Sequence, residues 1–110
     1  MSIKKIEPTD MYYMPNSPQF PVFPQSEWQA RIDKAKRLMR EKGIDALVLF
    51  TMSDVRYFFG FETIHWQILD LQPAIGIILA DDDPHLVVAD FLSGNAQAFG
   101  WAKNLWIQTR

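Results

Sequence analysis

The sequence predicts an α/β fold, a small mixed β-sheet flanked by helices, and three features carry that reading. An amphipathic helical stretch runs straight into a short apolar run, "IDALVLF". Two more apolar runs, "AIGIILA" and "HLVVA", are separated only by "DDDP". A helix feeding a buried strand, followed by a tightly linked strand pair, indicates a layered α/β domain.

The helix opens at "SEWQ", where Ser26 is placed to accept from the backbone N–H of Gln29 while Gln29 reaches back, a capping box with Glu27 in the first turn. Trp28, Ile32, Ala35, Leu38 and Met39 fall on one apolar stripe. Arg31, Lys34, Lys36, Arg37 and Arg40 cover the rest and read as a solvated basic face. Gly43 follows Lys42 as a left-handed cap. Residues 44–50 are continuous, apolar and branched, the pattern of a strand buried on both faces. Residues 74–80 form a second such run. The aspartates that follow make a turn, Pro84 leads into a strand at 85–89, and so short a link demands antiparallel pairing. Residues 93–99 read as a short helix and 105–109 as a fourth strand with Trp106 on one face.

Ahead of Ser26 the pattern changes. Pro8, Pro15, Pro18, Pro21 and Pro24 forbid helix and disfavour a central strand, so residues 1–25 read as an extended arm. Tyr12, Tyr13, Phe20 and Phe23 are too apolar for a solvated tail, which predicts that the arm packs on its own domain or on a neighbour. Residues 26–110 then form one domain. A chain of 110 residues buries about 65% of its unfolded surface, enough for one core and too little for two.

A net charge of −2 with 48% hydrophobic and 22% charged residues excludes the strongly basic balance of a nucleic-acid binder. Cysteine is absent, which removes disulfides, thiolate zinc sites and cysteine nucleophiles. The longest apolar runs fall far short of the roughly 20 residues that a membrane span needs. A soluble, cytoplasmic protein with neither nucleic acid nor membrane as partner is the expectation.

Local signatures of chemistry are scarce. Asp81, Asp82 and Asp83 read as an exposed turn, because consecutive turn residues do not converge on one ion. His65 and His85 lack the i, i+4 spacing of a zinc helix, and neither a nucleophile elbow nor a phosphate or dinucleotide loop is present. No catalytic residue, metal ligand or cofactor is therefore assigned to this segment. One stretch stands apart: "SDVRYFFGFETIHWQILDLQ" sets aromatic rings among titratable groups at the end of a strand, where open α/β sheets bind ligands. Asp54, Tyr57, Phe61, His65 and Trp66 are its candidate substrate-binding residues. Two bland readings stand beside that one. Asp54 suits a helix N-cap as well as a ligand, and one or two of Tyr57, Phe58 and Phe59 suit a core plug.

"REKGIDALVLF" followed by "SDVRYFFGF", a loop and an apolar strand resembles the N-terminal domain of the creatinase, prolidase and Xaa-Pro aminopeptidase family, metallohydrolases with a pita-bread catalytic domain. The resemblance spans about residues 26–110, and Asp54, Tyr57, Gly60 and Phe61 match its most specific element. It implies a small α/β domain ahead of a catalytic domain that holds two divalent metal ions, none of whose ligands lie in this sequence. It also implies a homodimer in which the aromatic loop covers an active site, with a small peptide or amide as substrate. Trp66 corresponds to an aromatic that creatinase-like members use with an arginine, and no arginine follows it here, which favours Xaa-Pro peptides or other small amides over creatine. A free-standing binding module with the same fold is the alternative.

Overall fold

The structure, a computed structural model, describes residues 2–15, 23–63 and 73–109. Among them five strands form one sheet: β1 (Ser2–Lys5), β2 (Ala46–Leu49), β3 (Ala74–Leu79), β4 (His85–Ala89) and β5 (Asn104–Thr109). Their spatial order is β1-β5-β4-β3-β2. Only β4 and β5 run parallel, joined by a 3₁₀ turn (Asp90–Leu92) and a short helix; the other three pairings are antiparallel, so the sheet is mixed as expected. The helices are α1 (Gln25–Lys42), α2 (Met52–Phe59) and α3 (Ser93–Phe99).

The start of α1 differs from the capping-box expectation. Pro24 is the N-cap residue, no side chain caps the helix, and Gln29 turns instead to Asp33, Nε2 to Oδ1 at 2.9 Å. A different device fixes this end. Phe23, just before the cap, packs edge-on against Trp28 in the first full turn, with centroids 5.5 Å apart, which is a hydrophobic staple. Pro24 stays extended, at φ −65° and ψ 158°, and the helix starts at Gln25, one residue before Ser26. At the other end Gly43, at φ 69°, donates to Arg40 O, and Ile44 N–H donates to Met39 O, the paired bonds of a Schellman motif. Trp28, Ile32 and Met39 of the predicted stripe are buried, whereas Leu38 stays 41% exposed.

The strands depart from the expectation of burial on both faces. In β3, β4 and β5 buried and half-buried residues alternate, and the buried ones (Ala74, Ile78, Leu86, Val88, Leu105, Ile107) join one cluster with Ile32, Val55, Phe59 and Ala96 of the helices. The three helices thus cover one face of the sheet. Each large apolar side chain buried there contributes about 1.5–3 kcal/mol relative to exposure. β2 is an edge strand, paired only with β3, and Val48 remains half-exposed; a continuous apolar run alone does not reveal this.

The arm packs on its own domain. Its first residues form β1, a strand not expected from the sequence, paired with β5 in register Ser2↔Thr109 to Lys5↔Trp106. Lys4 Nζ pairs with Asp10, whose carboxylate also accepts from Tyr12 N–H at 3.0 Å. Both contacts hold the Asp10 carboxyl below the usual aspartate range, the Lys4 hydrogen bond more than the Tyr12 one. Gln97 of α3 then clasps the chain, donating through Nε2 to Tyr12 O and accepting through Oε1 from Met14 N–H. Phe20 lies outside the described residues.

Candidate functional site

The distinctive stretch folds as α2 and its cap. Thr51, in extended conformation, accepts at Oγ1 from the backbone N–H of Asp54 at 3.2 Å. Gly60 ends the helix at φ 72° and donates to Arg56 O at 2.9 Å. Asp54 is therefore the third helical residue and not the cap, and its exposed carboxylate has no partner among the described residues. An acid at that position is favoured by the helix dipole whatever else it does.

The aromatic residues divide by face. Phe59 and Phe61 have no exposed surface and sit in the core, and Phe58 packs against it. Trp101 fixes the end of α2 through Nε1, which donates to Phe58 O at 2.7 Å. Tyr57 points outward, 48% exposed, edge-on to Phe58 with centroids 4.8 Å apart. Of the five candidate residues, Asp54 and Tyr57 thus lie on the accessible side of α2, and Phe61, just past its end, lies in the core. His65 and Trp66 fall outside the described residues.

The structure adds residues that sequence reasoning set aside. Arg31, expected on a solvated helix face, is only 15% exposed at its side chain. Its guanidinium lies 4.3 Å from the ring centroid of Tyr57 and 4.9 Å from those of Phe23 and Trp28. Nε donates to Glu27 Oε1 at 3.1 Å, and Nη1 donates to Tyr57 O at 2.7 Å, which ties α1 to α2. Arg56 reaches Glu62 at 3.2 Å on the same side. The available signal was Trp28 and Arg31 at i, i+3, a spacing that stacks a cation on an indole when a further ring closes the other side.

The aspartate turn is a structural element. Asp82 Oδ1 accepts from Asp83 N–H, its Oδ2 meets His85 Nε2 at 3.1 Å, and Lys36 Nζ donates to Asp82 O. The His85 contact, followed by the Asp83 N–H, holds the Asp82 carboxyl below its ordinary range. Trp106 Nε1, which can only donate, reaches His85 Nδ1 at 3.1 Å; in neutral His85 the ring hydrogen is then on Nε2, facing Asp82. Among the described residues no group of three or more metal-ligating side chains converges, and no helix is long and apolar enough to cross a membrane.

Comparison with known proteins places this geometry. The fold is similar to the crystal structure of an Xaa-Pro aminopeptidase from Streptococcus pyogenes, with a TM-score of 0.62 and 22% identity over 79% of this chain and 60% of that one. The present chain thus spans less than two thirds of the solved one. No curated protein sequence matches. The family model for the creatinase/prolidase N-terminal domain matches residues 31–109, from the middle of α1 through β5, and this chain belongs to that family.

Proposed function

We propose that this chain is the substrate-capping and dimerisation domain of a metal-dependent hydrolase that cleaves C–N bonds in Xaa-Pro peptides or related small amides. The observation that carries the reading is membership of a family of N-terminal domains, joined to an acid with no partner among the described residues, Asp54, and a half-exposed phenol, Tyr57, on the short helix that precedes residues 64–72 in the sequence. In this reading the catalytic chemistry and two divalent metal ions belong to a C-terminal domain of the same protein, which acts as a cytoplasmic homodimer. The residues of this chain bind and orient. Tyr57, His65 and Trp66 wall the pocket and exclude water, and Asp54 meets a cationic substrate group such as a peptide amine. Phe61, buried in the core, anchors the chain a few residues ahead of His65 and Trp66.

The test is steady-state kinetics of the full-length protein. A wall residue that takes no part in bond making affects chiefly substrate binding. Trp66→Ala should raise KM about tenfold, because a lost buried aromatic contact costs on the order of 1–3 kcal/mol, with metal content unchanged. Asp54→Asn should weaken substrates with a free amine and spare their acetylated forms. Wild-type kinetics in both variants would remove the shared-pocket reading. A reading frame that continues past Arg110 without a metal-ligand domain would remove the hydrolase.

A further inference from the structure

Between the start of α1 and the outer side of α2 lies a cavity of about 360 Å³, within the range of small-molecule pockets, roughly 300–1,000 Å³. Its walls are aromatic. Trp28, 3% exposed, forms the base, while Phe23 and Tyr57, 41% and 48% exposed, form two sides. Bare backbone at Gly60 closes the lining: a Cβ there would approach Trp28 Cζ2 to 3.1 Å, and the positive φ already selects glycine.

The polar groups are unevenly satisfied. Arg31 uses Nε and one Nη1 hydrogen on Glu27 and Tyr57 O, and its Nη2 group has no acceptor among the described residues. Arg56 spends one contact on Glu62, and its remaining donors have no acceptor among the described residues. Each of the two carboxylates at hand, Glu27 and Glu62, is thus already engaged by one arginine, while donors on both guanidiniums are left over. A largely buried guanidinium with an unused edge, stacked on rings, favours a flat anion with which it makes charge-assisted paired bonds. A phosphate would satisfy the charge but leave the exposed sides of Phe23 and Tyr57 uncovered. A simple hydrocarbon would do the reverse.

From this pairing we infer that the cavity binds a small carboxylate carrying a flat apolar ring, its acid on Arg31 and Arg56 and its ring against the exposed sides of Phe23 and Tyr57. Such an acid group occurs both in free aryl carboxylates and at the C-terminus of a peptide ending in a ring-bearing residue. Every lining residue belongs to this chain, so binding is read on the chain itself without any hydrolysis. Failure here leaves the proposed function standing, and failure of that function leaves this site standing.

The experiment is calorimetric titration of the 110-residue chain with 3-phenylpropionate, its neutral amide and propionate, with binding mapped by amide NMR shifts. The acid should bind with a dissociation constant on the order of 0.1–1 mM, the amide about tenfold or more weaker, and propionate not measurably. Shifts should centre on Gly60 and the Arg31 Nε–H. Arg56→Gln, at a side chain more than half exposed, should keep the fold and weaken the acid about threefold to tenfold while leaving the amide alone. Arg31→Lys keeps the charge but loses the fork, and should weaken the acid further. N-acetyl-glycyl-phenylalanine separates the two sources: binding as tight as that of the free acid assigns the site to a peptide C-terminus, and exclusion assigns it to free acids, either result supporting the carboxylate chemistry. Equal binding of acid and amide, absence of saturable binding, or shifts centred away from Gly60 would overturn the inference.

Discussion

Gly76, in the middle of β3, lies under the ring of Phe59, and substituting alanine there tests how tightly α2 is seated on the sheet. A Cβ built on Gly76 would stand 2.5 Å from Phe59 Cε2, 3.1 Å from Cδ2 and 3.4 Å from Leu49 Cδ1. Carbon atoms in contact prefer about 3.5–4.0 Å, so the ring must retreat by about 1 Å. Phe59 is fully buried and Trp101 anchors the adjoining carbonyl, which leaves little room for that movement. Overpacking of this kind costs about 1–3 kcal/mol. Against it stands a gain of about 0.4–1 kcal/mol from stiffening the unfolded chain, since the Gly76 backbone is open to any residue. The net expectation is a loss of about 1–2 kcal/mol, or about 4–8 °C in Tm for a domain of this size. Urea denaturation of wild type, Gly76→Ala, Phe59→Leu and the double variant would measure it. Phe59→Leu leaves space that the new methyl partly fills, so the double variant should be more stable than the summed single losses predict by about 0.5 kcal/mol or more. Strict additivity, or a Gly76→Ala variant as stable as wild type, would refute the close seating of Phe59 on the strand.

Two further expectations rest on the caps and the arm. Thr51→Ala removes the acceptor for Asp54 N–H and should cost about 1 kcal/mol by denaturation, with Thr51→Ser restoring most of it; Asp54→Asn leaves that bond intact and should change stability by less. Asp10 is held below its ordinary range by Lys4 and then by Tyr12 N–H, so its contribution is present above the unfolded aspartate value near about 4 and is lost as pH falls through the lower folded value. Melting curves below about pH 4 should therefore fall more steeply for wild type than for Asp10→Asn, and parallel curves would show that the Lys4 pair contributes nothing.

Most of the architecture is legible where one local force dominates. Gly43, the aspartate turn, the antiparallel link from β3 to β4 and the short helix before β5 all follow from turn chemistry and apolar spacing. The misses occur where a local signal competes with a distant one. "SEWQ" offered a capping box, but the contact of Phe23 with Trp28 set the helix start, and nothing within "SEWQ" itself reveals that staple. "SIKK" is too short and polar to announce a strand, and it becomes one only because the edge of β5 needs a partner. Arg31 looked like any cation on a helix surface, since its burial depends on α2 arriving from 26 residues away. Tyr57 and Phe59 sit two residues apart on one helix, and which of them faces the core is settled by helical geometry once the Thr51 cap sets the first turn.

Ser2 faces Thr109 across the sheet, so one edge of the domain joins strands from opposite ends of this sequence. At synthesis rates of about 5–20 residues per second, β5 emerges roughly 5–20 s after β1, and for that interval the arm has nothing to pair with. The entropic cost of closing so long a loop grows only slowly with length, so the obstacle is timing. Pro8 and Pro15 withhold N–H donors, which makes the stretch after Lys5 a poor ladder partner for the open edge of β2 or for another nascent chain. The docking of β1 is then a late folding event, and substitutions in residues 2–5 should speed unfolding while leaving the folding rate unchanged.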